Sequence, residues 1–299
     1  MSHFSNTTVY NSTLEYAHRG PISFVNLVAM PLHVSHIGVI ISKHELHQNV
    51  YEIMLNLSLS DLLFAFGSFV FDSLSLSQEP IVWKIGATLY ILSVLFTFGM
   101  TLDRYVKVEY GLRYETIATK TRVRFLIMLV WIGSFILLLL VNALTNTLEQ
   151  LNLIFGALSV SCCFLLLATS VWVRRIRNNH LKEITRMNRY FGIHGEQFNL
   201  LREMKGAVRE MLQLNLVTFF LIFIGSILHV ISNSYSGANV LEFCSIGVTH
   251  LYVVSNPFVY LFVMKDLREQ YLKGFLALRS LLRNQIHPAV TSAPGNNGT

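Results

Sequence analysis

The sequence predicts an all-α membrane protein, a bundle of seven spanning helices followed by an amphipathic helix on the membrane surface. Three observations carry that expectation. Of its 299 residues, 53% are hydrophobic and only 13% charged, about half the charged share of a soluble domain, and the mean hydropathy is +0.49. Seven apolar runs recur along the chain, each near the roughly 20 residues that a helix needs to cross a bilayer core of about 30 Å. Basic residues gather in alternate connections between these runs, the pattern of positive-inside insertion. The net charge of +6 does not point to nucleic acid, because the positive residues are dispersed between hydrophobic segments.

Residues 1–21 are polar and hold two glycosylation sequons, Asn6-Thr7-Thr8 and Asn11-Ser12-Thr13. Modification at Asn6 and Asn11 fits an extracellular N-terminus. Asn56-Leu57-Ser58 has the same pattern but lies inside an apolar run, where a transferase cannot reach it. No basic-then-apolar leader opens the chain, so the first span is expected to direct insertion. The spans fall at 22–42, 51–75, 81–106, 125–145, 151–173, 208–231 and 240–263. Pro31, His33 and His36 interrupt the first of them. Only the polar stretch 146–150 separates the fourth from the fifth, yet one helix across both would be far too long for a bilayer. Cys162, Cys163 and Cys244 all lie in apolar runs, so no disulfide framework is evident.

With the N-terminus outside, the inward-facing segments hold every one of the 23 Lys and Arg residues except Arg19 and Lys84. The chain then reads as a multi-pass plasma-membrane protein with its C-terminus in the cytoplasm. Arg174, Arg175 and Arg177 open the longest inner loop. They suit anionic membrane lipid, at about 1 kcal/mol per residue near the surface, and equally a docking surface for a cytosolic partner. Residues 264–283 alternate basic positions with Leu267, Tyr271, Leu272, Phe275, Leu276 and Leu278, which predicts the surface helix. The Pro-, Gly- and Asn-rich stretch 284–299 is expected to be disordered.

Chemistry rests on polar residues inside the spans, since these must find partners. Asp61 stands near mid-membrane in the second span, Ser93 in the third, and Ser255-Asn256-Pro257-Phe258-Val259-Tyr260 in the seventh. Pro257 removes a backbone hydrogen bond and bends its helix. Asp61, Ser93 and Asn256 can converge either on a small cation, sodium being the candidate, or as a packing cluster alone. Asp103-Arg104-Tyr105 ends the third span. Arg104 either snorkels into headgroups or forms a latch in which Asp103 neutralises it until a partner takes it over. No catalytic or metal-ligating constellation is expected.

These motifs together resemble the rhodopsin-like (class A) G protein-coupled receptors over about residues 22–282. The resemblance is carried by Asn56-Leu57-Ser58-Leu59-Ser60-Asp61-Leu62-Leu63, Asp103-Arg104-Tyr105, Trp131, and Asn256-Pro257-Phe258-Val259-Tyr260. Leu112-Arg113-Tyr114, the spacing from Tyr260 to Leu267-Arg268, the short second outer loop and the missing disulfide look most like the melanocortin, cannabinoid and lysolipid receptor group. The resemblance implies an extracellular ligand, a heterotrimeric G protein as partner, and a switch built from Asp103, Arg104, Tyr105, Asn256, Pro257 and Tyr260. It implies that Asn56 and Trp131 fix helix packing. A chemosensory receptor of the same fold is an alternative, as is a non-signalling decoy or transporter.

Departures from the family are equally specific. His33 stands where the family has its helix-one asparagine, and Glu79 where helix three carries its disulfide cysteine. Phe223 and Gly225 take the tryptophan and proline positions of the helix-six pivot. Lys205 falls where relatives place an acid that restrains the arginine, with Glu203 nearby, so raised basal activity is expected. Gly86 replaces the aspartate of amine receptors, and His250 the lysine that holds retinal in opsins. For the ligand pocket the candidates are Asp72, Glu79, Trp83, Lys84, His229, Glu242 and His250, each of which could instead be a solvated rim residue.

Overall fold

A helix satisfies its own backbone N–H and C=O groups, which a chain with this much apolar sequence must do where no water is at hand. A computed structural model describes residues 4–42, 49–74, 80–110, 113–144, 148–191, 209, 212–213, 215–228, 231, 239–265, 267–274 and 276, and in some helical stretches, 4–19 and 239–243 among them, the backbone alone. Among these residues every regular element is helical. The helices are α1 (Phe4–Ser42), α2 (Asn49–Ser73), α3 (Pro80–Tyr110), α4 (Tyr114–Ile117), α5 (Lys120–Leu144) and α6 (Leu148–Phe191). They continue with α7 (Asn215–Leu228), α8 (Asn239–Val263) and α9 (Leu267–Gly274).

Five helical segments are long and apolar enough to cross a membrane alone: Gly20–Ser42, Asn49–Ser73, Ile81–Tyr110, Lys120–Leu144 and Gly156–Ile176. Helix α7 is the described part of the sixth apolar run, and α8 is the seventh. The chain is thus a seven-helix membrane bundle. Cys244–Phe262 of α8 and α9 meet at 90°, so α9 lies across the end of the bundle, as the surface-helix pattern predicts. Its Leu267 is fully buried while Leu272 is exposed.

Several helices overrun the bounds that hydropathy suggests. Helix α1 starts at Phe4 rather than near residue 22, so Asn6 and Asn11 lie on a helix whose side chains there are outside the described set. Helix α3 continues to Tyr110 and α6 to Phe191. Hydropathy marks where the apolar phase ends, whereas helical hydrogen bonding is local and continues past it. Residues 284–299 lie outside the described residues.

Helix α3 is the axis of the packing, in contact with α2, α5 and α6, while α1 packs on α2 and α8. One apolar cluster joins Ile40, Met54, Leu57, Leu92, Phe96, Tyr260 and Leu267. A second joins Phe64, Val94, Cys163, Leu166, Ile222, Tyr252 and Val253, and so ties α7 to α2, α3, α6 and α8. Helix α5 is peripheral, with only Val123, Ser134 and Val141 buried. Its Phe125, Leu126, Phe135 and Leu139 are exposed, which in lipid costs nothing because hydrocarbon is as apolar as they are.

Helix α5 is therefore fixed by few contacts. Trp131 Nε1 donates to Asn56 Oδ1 at 3.0 Å, and the Trp131 ring lies 5.9 Å from that of Phe96. Asn56 Nδ2 donates in turn to the Glu52 carbonyl at 2.9 Å. A bidentate ion pair from Arg124 to Glu52, at 2.7 and 3.0 Å, closes the seam. Asn56→Leu is expected to lower the stability of the purified protein by about 1 kcal/mol, the scale of an interhelical hydrogen bond. Arg124→Ala should cost less, because that side chain is 68% exposed and its ion pair is weakened by solvent. Thermal unfolding in detergent measures both.

Candidate functional site

Four helices bring their polar residues to one place in the middle of the bundle. Asp61 of α2 is fully buried, and its Oδ2 accepts a 2.7 Å hydrogen bond from Asn256 Nδ2 of α8. Among the described residues its Oδ1 has no hydrogen-bond partner. Ser93 of α3 acts on the same carboxyl. The three residues that the sequence groups around a small cation thus converge.

One residue on from Asn256, Pro257 lacks an N–H, so the carbonyl four residues earlier, that of Val253, loses its helical donor. His33 of α1 supplies the missing partner: its Nε2 lies 3.1 Å from the Val253 oxygen. The histidine that departs from the family pattern therefore still joins α1 to α8. One turn further along α1, His36 Nδ1 pairs with the Ser58 hydroxyl at 2.8 Å, and its ring stacks 5.7 Å from Tyr260. Tyr260 is fully buried in this packing. Among the described contacts it meets His36, not Arg104.

Helix α3 carries a polar stripe that the motif reading does not single out beyond Ser93. Ser93, Thr97 and Thr101 recur every four residues and so share one helical face. The Tyr252 hydroxyl of α8 lies 3.2 Å from Ser93 Oγ and 3.0 Å from Thr97 Oγ1. Thr101 Oγ1 donates to Asn215 Oδ1 of α7 at 2.8 Å, and Asn215 Nδ2 donates to Ser170 Oγ of α6 at 2.8 Å. All of these residues are buried. The signal available in the sequence was the four-residue recurrence of hydroxyls in an apolar helix, together with an asparagine inside the apolar run 208–231.

At the end of α3, Asp103 is paired differently from the expected latch. Its Oδ1 accepts a 2.6 Å hydrogen bond from the Tyr114 hydroxyl, which Asn49 Nδ2 also approaches at 3.3 Å. Asn49 Nδ2 donates as well to the Ala118 carbonyl. Arg104 is a lesser electrostatic influence on Asp103. Among the described residues the Arg104 guanidinium has no hydrogen-bond partner. The reason is geometric: neighbouring residues on a helix diverge by about 100°, whereas α4 folds Tyr114 back under α3. Burial, reinforced by the Asp103 charge, raises the Tyr114 phenol well above its ordinary range, so it remains a donor. Tyr105 stacks on Trp172 of α6 at 4.9 Å.

The candidate pocket residues at the other end are mostly engaged within the bundle. Asp72 Oδ2 accepts from Ser23 Oγ at 3.3 Å. Trp83 packs beside Ile91 and Val141. Lys84 is buried rather than a solvated rim residue, because its stem runs between α3 and α5 and Nζ donates to Asn142 Oδ1 at 3.0 Å. His250 is also buried, with Nδ1 2.8 Å from Asn26 Oδ1 and its ring 5.0 Å from Phe64. Glu79, His229 and the Glu242 side chain lie outside the described residues. At the position expected to be the pivot of α7, Phe223 stacks on Phe219 at 5.3 Å. The Gly225 carbonyl accepts from Ser245 Oγ at 3.0 Å, and a Cβ at Gly225 would stand 3.4 Å from Val248 Cγ1.

A family model described as 7 transmembrane receptor (rhodopsin family) matches residues 36–260. The match runs from His36 in α1 to Tyr260 in α8 and so spans Asp61, Ser93, Asp103 and Asn256.

Asn256→Ala removes the donor to a buried carboxylate and is expected to destabilise the receptor by about 2 kcal/mol. In the Asp61→Asn background the same change should cost less than half as much, since no charge is left stranded. A double-mutant cycle on melting temperature checks the difference, and equal costs in both backgrounds would disprove the coupling.

Proposed function

The chain belongs to the rhodopsin family of seven-transmembrane receptors, and on that premise we propose that it is a plasma-membrane receptor whose ligand-driven repacking activates a heterotrimeric G protein. The observation that carries the proposal is the end of α3, where Asp103 is held by Tyr114 and, among the described residues, the Arg104 guanidinium has no hydrogen-bond partner. An arginine so placed beside a concentration of Lys and Arg suits a partner that inserts from the cytoplasm. The positive-inside distribution supports an N-terminus outside the cell, where Asn6 and Asn11 would be glycosylated.

The ligand enters from the extracellular side and stabilises a state in which the inner end of α7 swings away from α3. Its effect equals its differential affinity for the two packings. Arg104 and Tyr260 then line the cavity that the G protein enters, which requires Tyr260 to leave its stack with His36. Phe223 and Gly225 form the pivot, and the carbonyl of Gly225 slides against Ser245. Trp83 and His250 border the pocket from which this motion starts.

The residues around Asp61 fit a sodium ion: a carboxylate, a hydroxyl and an amide converge, and among the described residues Asp61 Oδ1 is buried without a hydrogen-bond partner. Asp61, Ser93 and Asn256 would hold the ion, whose charge would offset that of the carboxylate and favour the resting packing.

Two measurements test the proposal. Basal nucleotide exchange on a panel of Gα subunits should fall about tenfold or more in Arg104→Ala membranes, a loss of the order of one charge-assisted contact; equal exchange with both receptors would defeat it. Replacing sodium chloride by choline chloride should raise basal exchange in the wild type and leave Asp61→Asn unchanged.

A further inference from the structure

Helix α7 is the element that must move, yet the acid expected to restrain it is replaced by Lys205. Its restraint lies elsewhere. Asn215 sits on the end of α7 that meets the Asp103 end of α3, and it is 2% exposed. Both halves of its amide are used: Oδ1 accepts from Thr101 of α3 and Nδ2 donates to Ser170 of α6, each at 2.8 Å. The geometry is consistent at both partners. Ser170 Oγ spends its own proton on the Leu166 carbonyl, at 2.7 Å, and so presents a lone pair to Asn215. Thr101 Oγ1 shares its proton between Asn215 and the Thr97 carbonyl, the former being the shorter contact at 2.8 against 3.1 Å. One turn away, Leu212 packs against Val108 and Val173 of the same two helices.

We infer that Asn215, with Thr101 and Ser170, is the latch that holds α7 closed and sets the basal activity of the receptor. The inference rests on the G protein reading above and gives that reading its restraining element. A buried asparagine cannot leave its partners for an apolar surrounding without a large desolvation cost. Opening of the crevice admits water, which replaces both hydrogen bonds, so the latch costs only their net worth to release. It is strong enough to favour the closed packing and weak enough for a ligand to open. An ion pair at the surface end of α7 would be screened by salt. This latch lies out of reach of solvent ions and should be insensitive to them.

The test uses the full-length receptor in lipid nanodiscs without G protein, with Cys162, Cys163 and Cys244 replaced by Ala and spin labels at Tyr110→Cys and Arg209→Cys. Asn215→Leu, and independently Thr101→Val and Ser170→Ala, should enlarge the population with the longer label separation about fivefold, as the loss of a net hydrogen bond implies. Thr101→Val should add nothing in the Asn215→Leu background. Basal nucleotide exchange per surface receptor should rise by the same factor. A distance distribution unchanged in all three variants overturns the latch. A shifted distribution with exchange that stays flat, and that Arg104→Ala also leaves flat, upholds the latch and overturns the G protein reading instead.

Discussion

The hydrogen bond from Asn256 to Asp61 is the constraint on which the rest of the bundle depends. In hydrocarbon no water can satisfy a carboxylate, so Asp61 on α2 dictates where α8 must lie. The proline that follows then opens a carbonyl at Val253, and His33 brings α1 to it. A carboxylate and a missing backbone N–H thereby fix the positions of three helices. Apolar packing between them, through Met54, Leu57 and Tyr260, fills the space that these bonds define but does not choose it. Leucine against leucine is no better than leucine against lipid, and so gives little orientation by itself.

Helix α3 distributes this logic along its length. Its stripe of Ser93, Thr97 and Thr101 engages α8 at one level and α7 at the next, while Asp103 at its end engages α4. The helix acts as a rail with polar stops. A proposed rearrangement of α7 has a defined path on this rail, because the buried side-chain partners that its Asn215 must exchange are Thr101 and Ser170. At Gly225 the α7 backbone meets side chains of α8, its carbonyl accepting from Ser245 Oγ.

The Asp103 end shows how a local motif acquires its state from distant sequence. Asp103 and Arg104 are adjacent in the chain, yet the hydrogen bond to Asp103 comes from Tyr114, held in turn beside Asn49 of α2. Tyr114 is a donor that burial keeps protonated. It satisfies the acid without neutralising it, which leaves Arg104 available. Adjacency on a helix separates side chains, and a short connecting helix brings the partner that adjacency cannot.

The amino-acid sequence by itself determined the class of fold, the seven spans and the identities of the central polar residues. Each of these follows from local quantities: run length, charge alternation, and the cost of placing Asp61 or Asn256 in hydrocarbon. That Asn56 and Trp131 fix helix packing came from the family resemblance rather than from local quantities, and the bond between them appears only in the structure. Only the tertiary structure decided which partner each polar atom takes. Nothing in the spacing of His33 revealed the Val253 carbonyl, nothing near Lys84 announced Asn142, and Asn215 gave no sign of reaching Thr101 and Ser170 on two other helices. The physical reason is that hydrophobicity and helix propensity act along one chain segment, whereas a hydrogen bond between helices depends on their rotation and depth, which the whole set of buried polar groups fixes together.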